Sequence, residues 1–211
     1  MAQKGFRAII FDIGRVLVHI DPRQAQKALS NGLPFSSEEL WSAIEKDPHW
    51  KDWQEGRISA RDWHLNLCKR FGVRMPFDTF VNAWNSVLDS KPIHPDSLFA
   101  KLAKNYRLGL LSNTDPIHVA HLESTYSFYN YFPKAVRTYS CAVGACKPDP
   151  LIFRHALKAC KVQATEAVYI DDIAAFAEAA RSLGMHGLQY TSPEQLQVDL
   201  HAIGIVGSEL P

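Results

Sequence analysis

Short apolar runs alternate with longer amphipathic stretches over most of the chain. After an opening run at residues 8–11, the alternation becomes regular from about residue 92 onward. The predicted strands cover residues 8–11, 107–112, 135–137, 167–170 and 187–189, and the predicted helices cover residues 96–106, 116–125, 148–160 and 174–183. The runs lack strict alternation of polar and apolar residues, as expected when both faces of a sheet are covered. The pattern predicts a three-layer α/β fold with a parallel sheet between helices.

Between the first strand and residue 91 the pattern changes to helices alone. Helix starts are predicted at Asp21-Pro22, at Ser36 with Glu39 three residues later, at Ser59 and at Pro76, and Gly72 is a predicted helix end. We interpret residues 19–90 as a helical insert, or cap, that follows strand one. The α/β core domain then comprises residues 1–18 and 91–211.

All five tryptophans of the chain fall within the helical insert, at Trp41, Trp50, Trp53, Trp63 and Trp84. A small helical unit needs large buried side chains to hold together, so we interpret these residues as the core of the insert. Trp50 and Trp53 lie in a less regular stretch and are the expected exceptions.

Polar side chains stand at four places, at the ends of three apolar runs and before the start of one helix. Asp12 follows the first run, Ser112 and Asn113 follow the second, Lys147 precedes a helix, and Asp171-Asp172 follow the run at 167–170. The carboxyl ends of parallel strands share one edge of a sheet, so we expect these residues to converge. A nucleophilic carboxylate, a hydroxyl donor, a lysine and an acidic pair together suit chemistry on a phosphate.

Composition, charge and the length of the first strand limit the partners and the cellular location that we expect. The chain has 211 residues, of which 46% are hydrophobic, and 23 basic against 22 acidic side chains give a net charge of +1. Without a block of like charge, we expect neither nucleic acid nor an anionic membrane surface as a partner. The first strand is too short for a signal-peptide core, which predicts a cytoplasmic location. Four cysteines without a C-x-x-C pair predict free thiols.

The motifs at these positions resemble those of the haloacid dehalogenase (HAD) superfamily, in its branch with a helical C1-type cap after the first motif. The motifs are F-D-x-G-x-V, W-Q-E-G-R-I-S, L-S-N-T, K-P-D-P-x-I-F and I-D-D, which begin at Phe11, Trp53, Leu111, Lys147 and Ile170. Within that branch they are most similar to sugar phosphatases of the α-D-glucose-1-phosphatase type. The resemblance implies a Rossmann-like core and covers nearly the whole chain.

The resemblance also implies roles for the residues at the strand ends. Asp12 would be the nucleophile that forms an aspartyl-phosphate, and Ser112 and Asn113 would donate hydrogen bonds to the phosphoryl group. Lys147 would neutralise the phosphate and keep Asp12 charged.

An Mg²⁺ ion is implied by the same resemblance. Its ligands would be Asp12, the carbonyl of Gly14 and Asp172, with Asp171 orienting Lys147 or a metal-bound water. Strand alternation predicts that only one of the two adjacent aspartates points into the site.

Two departures from the family pattern bear on turnover. Gly14 stands where most relatives carry a second aspartate that acts as general acid and base. Either the leaving group is acidic enough to depart without much help, as the anomeric oxygen of a sugar 1-phosphate would be, with water or a cap residue assisting, or the protein binds phosphate with little turnover. Phe176 stands where an asparagine often supports the acidic loop.

Arg15 is read equally as a phosphate-binding or a solvated residue.

The sequence therefore predicts an Mg²⁺-dependent phosphatase of a small phosphorylated metabolite, with a sugar phosphate favoured. The alternatives are a catalytically weak phosphate-binding or regulatory protein and, with less support, a haloacid dehalogenase. His19 and Glu55 are read as structural residues, with a substrate-side role as the alternative. The chain is expected to be a monomer or a homodimer.

Overall fold

The central sheet has five parallel strands in the order β5-β4-β1-β6-β7. A computed structural model describes residues 5–30 and 36–205. Its strands are β1 (Ala8–Phe11), β2 (Val18–Ile20), β3 (Leu88–Pro92), β4 (Arg107–Ser112), β5 (Arg137–Tyr139), β6 (Ala167–Asp171) and β7 (His186–Gln189). The chain winds in opposite directions on the two sides of β1. A switch in winding of this kind opens a crevice at the carboxyl ends of the neighbouring strands.

Helices cover both faces of the sheet, so the predicted three-layer α/β fold is confirmed. The helices are α1 (Pro22–Ser30), α2 (Ser37–Glu45), α3 (Trp50–Gln54), α4 (Ala60–Phe71), α5 (Phe77–Asn85), α6 (Asp96–Leu102), α7 (Pro116–Thr125), α8 (Ser140–Val143), α9 (Pro150–Cys160), α10 (Ala174–Ser182) and α11 (Pro193–Ala202). Within the described residues, no helix is both long and apolar enough to cross a membrane.

Successive residues of β1 belong to two different hydrophobic cores. Ile9 and Phe11 pack into the cluster on one face of the sheet, whereas Ala8 and Ile10 pack into the cluster on the other face. All four side chains are fully buried. Because side chains alternate along a strand, a strand buried on both faces must be apolar throughout, which explains the unbroken run that precedes Asp12.

Several predicted boundaries shift by a few residues. The strand expected near residues 135–137 lies at Arg137–Tyr139, because residues 134–136 form a 3₁₀ turn. The helix expected over 148–160 begins at Pro150, since the Asp149 side chain caps it by accepting a hydrogen bond from the amide of Leu151. The helix expected to end at residue 106 ends at Leu102.

An antiparallel ribbon connects the core to the helices between residues 20 and 88. Val18 of β2 pairs with Pro92 of β3, and Ile20 pairs with Leu88. The sequence pattern predicted helices alone in this part of the chain, because strands of three and five residues are too short to show a period. The two strands straddle the predicted limits of the helical insert, and those limits stay a prediction. Residues 1–4, 31–35 and 206–211 lie outside the described residues.

The helical insert has a hydrophobic core of its own, built around tryptophan. Trp53, Trp63 and Trp84 are buried, and the rings of Trp53 and Trp63 stack with their centroids 5.8 Å apart. Trp53 therefore belongs to this core, and the prediction that it would lie outside the core was wrong. Trp50 is half-buried and packs against the core from its edge.

Candidate active site

A lysine bridges two carboxylates at the carboxyl ends of β1 and β6. The Nζ atom of Lys147 lies 2.9 Å from Oδ1 of Asp12 and 2.7 Å from Oδ2 of Asp171. All three residues are buried. A buried ammonium group between two carboxylates compensates charges that would otherwise be costly to remove from water.

The turn after β1 is held by its own backbone. The Ile13 carbonyl accepts hydrogen bonds from the amides of Leu17 (2.8 Å) and Val18 (3.0 Å), which folds the chain back just past Asp12. Arg15, in this turn, adopts a left-handed backbone conformation with φ of 57°. The Asp12 amide donates to the carbonyl of Ile170 on β6 (2.9 Å), so the backbone pairing with β6 continues as far as Asp12.

The two adjacent aspartates differ in what occupies their oxygens. Oδ2 of Asp171 accepts from Lys147 and from the hydroxyl of Tyr169, and Oδ1 accepts from the amide of Ile173 at 2.8 Å. Asp172 has a long ion pair with Arg15, whose Nη1 atom lies 3.9 Å from Oδ2 of Asp172. Asp171 is therefore fully engaged, whereas the carboxylate of Asp172 remains available for a ligand.

Both aspartates nevertheless face the site, contrary to the expectation from strand alternation. One carboxylate oxygen from each of Asp12, Asp171 and Asp172 lies within 4.8 Å of the others. The strand β6 ends at Asp171, so Asp172 lies beyond the regular pleat. Alternation holds only within a strand, and the turn that follows brings the second carboxylate to the same side.

Burial and crowding shift the protonation of this cluster. Burial raises the pKa of Asp12 to about 6, against the attraction of Lys147. Burial and repulsion from Asp171 also raise the pKa of Asp172. Burial disfavours the ammonium form of Lys147, but the combined attraction of Asp12 and Asp171 outweighs it and raises the pKa of Lys147. The three carboxylates thus outnumber the one buried ammonium group of the cluster, which leaves an excess of negative charge.

The donor set fits a hard divalent cation. Three carboxylates within 4.8 Å of one another share one buried lysine, so the edge carries excess negative charge. Mg²⁺ prefers oxygen ligands and typically uses one or two carboxylates together with water and phosphate oxygens. The available carboxylate of Asp172, beside Asp12, is consistent with such an ion.

Ser112 and Asn113 stand at the end of β4, next to the lysine loop. Nδ2 of Asn113 donates to the carbonyl of Lys147 (3.1 Å), and Oδ1 accepts from the Lys147 amide (2.7 Å). This two-point clamp fixes the backbone of Lys147, a role that the sequence did not indicate. Ser112 is buried and lines the cavity described below.

Two aromatic rings near the lysine were not recognised as site residues from the sequence. Nζ of Lys147 lies 5.0 Å from the ring centroid of Phe176 and 5.8 Å from that of Tyr169. Phe176 thus packs beside the site where an asparagine was expected in relatives, and Tyr169 donates to Asp171. Tyr169 and Asp171 are two residues apart on one strand and so share a face, which is the sequence signal for Tyr169.

A cavity of about 280 Å³ separates the edge of the core from the helical insert. On the core side it is lined by Gly14, Arg15, Ser112 and Asn113, and on the side of the insert by Trp41, Glu45, Trp50, Gln54 and Trp84. Pockets for drug-sized ligands span roughly 300–1,000 Å³, so this cavity suits a small metabolite. Trp50, an expected exception to the tryptophan core, is one of its walls.

A buried ion pair at the start of α7 forms the back of the cavity. Nδ1 of His118 lies 2.9 Å from Oδ2 of Asp115, and its Nε2 lies 3.1 Å from the carbonyl oxygen of Trp84. Both partners are acceptors, an arrangement that favours a ring protonated at both nitrogens. Burial disfavours this charge, but the attraction of Asp115 outweighs it and raises the pKa of His118.

The helical insert and the core approach each other very closely at α3. A Cβ added to Gly56 would lie 2.0 Å from the carbonyl oxygen of Cys141, and Gly56 has a φ of +69°. Beside it, the Ser140 hydroxyl lies 2.7 Å from the carbonyl of Gln54. Only glycine fits this contact, which sets the distance between insert and core next to the lysine loop.

His19 and Glu55, for which a substrate-side role was the alternative to a structural one, do not line the cavity. His19 is exposed on β2. Glu55 is buried and forms ion pairs with Arg57 (2.6 Å) and Lys51 (3.8 Å).

The structure combines a three-layer α/β core, an acidic edge of its parallel sheet and a helical insert that faces this edge across the cavity. The chain belongs to the haloacid dehalogenase-like hydrolase family, whose family model matches residues 6–184.

Individual relatives differ greatly in length. The chain is 28% identical over 214 residues to mouse acyl-CoA dehydrogenase family member 10, a match that covers 95% of this chain but 19% of that protein. It is 26% identical over 188 residues to the D-ribitol-5-phosphate phosphatase of Bacteroides thetaiotaomicron, covering 86% of this chain and 90% of that enzyme.

Solved structures share the fold. A HAD family enzyme of B. thetaiotaomicron has a TM-score of 0.82 at 23% identity and covers 93% of this chain and 98% of its own. A form of that enzyme in complex with magnesium and inorganic phosphate has a TM-score of 0.79 at 23% identity, covering 90% and 96% of the two chains.

Proposed function

We propose that this protein is an Mg²⁺-dependent phosphatase of a small phosphorylated metabolite, favouring a sugar or sugar-alcohol phosphate. The observation that carries the proposal is the Lys147 bridge between Asp12 and Asp171, with Asp172 left available beside it. The substrate class draws on the cavity size and on the similarity to a ribitol-phosphate phosphatase.

Asp12 acts as the nucleophile in this proposal. Its carboxylate oxygen attacks phosphorus, the bond from phosphorus to the leaving oxygen breaks, and water then hydrolyses the aspartyl-phosphate. Lys147 holds Asp12 in its charged form and faces the phosphoryl oxygens, and Ser112 donates a hydrogen bond to one of them. Asn113 and Asp171 position Lys147.

Asp12, Asp172 and the carbonyl of Gly14 would hold Mg²⁺. The ion supplies charge neutralisation at the phosphoryl oxygens when bound. The helical insert closes the cavity over the site and limits the access of bulk water.

Phosphate release tests this function. The panel contains sugar, sugar-alcohol and nucleotide monophosphates, each assayed with Mg²⁺ and with chelator. We expect Mg²⁺-dependent turnover by the native protein and by the control Asp78→Asn, an exposed carboxylate on α5, and loss of several orders of magnitude in Asp12→Asn. Turnover that persists in chelator and in Asp12→Asn would rule out this mechanism.

A second candidate function is phosphate binding without turnover. It is favoured by Gly14, which removes the side chain that relatives use to move the proton. Binding of orthovanadate or inorganic phosphate, measured by calorimetry, together with no release from any ester of the panel would support this alternative.

A further inference from the structure

The missing acid at position 14 raises the question of which group protonates the leaving oxygen. Gly14, two residues after Asp12, and Ser112 line the cavity, so we expect the leaving group of a phosphoryl group on Asp12 to lie in this cavity. Among the described residues that line this cavity, the titratable side chains are Arg15, Glu45, Asp115 and His118. An arginine stays protonated throughout the working range, so it cannot serve as the acid.

The buried pair at the back of the cavity is already committed. Asp115 accepts four hydrogen bonds, from Trp84 Nε1 and His118 Nδ1 at Oδ2 and from the Ile117 and His118 amides at Oδ1. Both ring nitrogens of His118 donate to fixed acceptors. A proton taken from either residue would break a buried interaction, so neither is suited to exchange protons with a substrate.

Glu45 differs from Asp115 and His118 because one of its carboxylate oxygens is not held by a hydrogen bond from another described residue. It stands on α2 and faces the cavity from the helical insert, and its Oε1 accepts a hydrogen bond from Nε1 of Trp41 at 2.9 Å. This bond orients the carboxyl group and leaves Oε2 for a ligand. Resting on the proposed phosphatase function, we propose that Glu45 is the general acid and base of the reaction and replaces the aspartate that Gly14 lacks.

The proton balance is complete with this residue. As Asp12 attacks phosphorus, the protonated carboxyl of Glu45 transfers its proton to the departing oxygen, and the alcohol leaves. The resulting Glu45 carboxylate then takes a proton from the water that attacks the aspartyl-phosphate. Inorganic phosphate and the Asp12 carboxylate are released, and Glu45 is protonated again.

Position 14 offers a rescue experiment. A Cβ added to Gly14 would meet the Ile20 side chain at 3.5 Å and 3.7 Å, which is ordinary contact, so the backbone at this position accepts a side chain. Four proteins are compared: native, Glu45→Gln, the double variant Glu45→Gln/Gly14→Asp, and the control Glu38→Gln, an exposed residue of the same helix. Glutamine keeps the acceptor for Trp41 and removes only the proton transfer.

The substrates are ribitol 5-phosphate, whose alcohol leaves poorly, and p-nitrophenyl phosphate, whose leaving group needs no proton. General acid catalysis contributes about 10² to 10⁴ in rate. We expect the first-turnover release of ribitol from ribitol 5-phosphate to slow about 100-fold or more in Glu45→Gln, while the first-turnover release of p-nitrophenol stays within about threefold. Steady-state turnover of both esters should fall, because both share the hydrolysis of the aspartyl-phosphate.

The double variant should regain at least a tenth of native turnover of ribitol 5-phosphate. Equal losses in the first-turnover release of the two alcohols, a change in KM alone, native-like activity of Glu45→Gln or no recovery in the double variant would each overturn the role of Glu45. Absence of release from both esters by the native protein would instead refute the proposed phosphatase function.

Discussion

The imidazole ring of His118 stacks on the indole ring of Trp84, with centroids 5.8 Å apart and ring planes 17° apart. His118 belongs to α7 of the core, whereas Trp84 belongs to α5 and to the tryptophan core of the helical insert. The Trp84 indole also donates to Asp115 at 2.9 Å. A cation stacked on an indole is stabilised further when both are out of water. The pair therefore fastens the insert to the back of the cavity.

His118 should be doubly protonated at pH 7. Its folded pKa is raised above 6.5, so its stabilising contribution is complete below pH 6.5 and is lost as pH rises through the folded pKa. Nitrogen-15 shifts of the ring will show two protonated nitrogens. The free energy of unfolding should fall more steeply above pH 6.5 for the native protein than for His118→Gln. A neutral ring at pH 7 would contradict this arrangement.

Asp115→Asn should destabilise the protein by about 3–5 kcal/mol, because it leaves a buried imidazolium without its partner. Urea unfolding measures the loss. Asp78→Asn, an exposed aspartate of α5, is the control and should change stability by less than about 0.5 kcal/mol. A similarly small effect of Asp115→Asn would show that the ion pair is not formed.

Asp12 should make the metal-free protein less stable as pH rises from about 4 to about 6. Its folded pKa of about 6 exceeds the ordinary aspartate value of 3.8, so the folded state keeps a proton that the unfolded chain has released. A difference of about two pKa units corresponds to about 3 kcal/mol. Urea unfolding in chelator should show this decline for the native protein and a weaker one for Asp12→Asn. Parallel curves would refute the raised pKa.

Asp172→Asn and Asp171→Asn should separate metal binding from support of the site. Asp172 keeps a carboxylate available, so its substitution should remove the rise in melting temperature on adding Mg²⁺ and leave the metal-free protein at least as stable. Asp171 holds Lys147, Tyr169 and the Ile173 amide, so its substitution should also destabilise the metal-free protein. Equal behaviour of the two variants would contradict this division.

Gly56→Ala should displace the helical insert from the core. The added methyl group would clash with the Cys141 carbonyl, whereas at Gly72, with nearly the same φ of +67°, a Cβ meets nothing within 4 Å. Both variants should lose about 1–2 kcal/mol from backbone strain. Only Gly56→Ala should lose more than this and also show a reduced kcat/KM for the proposed substrates. Matching effects in the two variants would mean that the contact does not constrain the insert.

The sequence predicted the sheet, the convergence of the strand ends and most helix starts, because each depends on local periodicity or on capping residues. The capping box of Ser36 and Glu39 is present as expected. Asp12, Lys147 and Asp171 were found because strand order alone brings strand ends together.

Contacts between segments that are far apart in the sequence could not be predicted in the same way. The Asn113 clamp on Lys147 and the stack of Trp84 on His118 join segments 34 residues apart, and neither leaves a periodic signal. The expectation that only one of Asp171 and Asp172 points into the site was wrong, because β6 ends at Asp171 and Asp172 lies beyond the regular pleat. The ribbon of β2 and β3 was missed because its strands are too short to establish a period.

That ribbon places the two ends of the helical insert side by side, with Val18 beside Pro92. Segments whose ends are adjacent can be added to or removed from a domain without rerouting the rest of the chain. In this protein the acidic edge that would perform chemistry and the helices that would select a substrate are joined at one seam. Recombination at this seam could exchange the selecting part as a unit and leave the reactive edge intact, giving such proteins a direct route to new substrates.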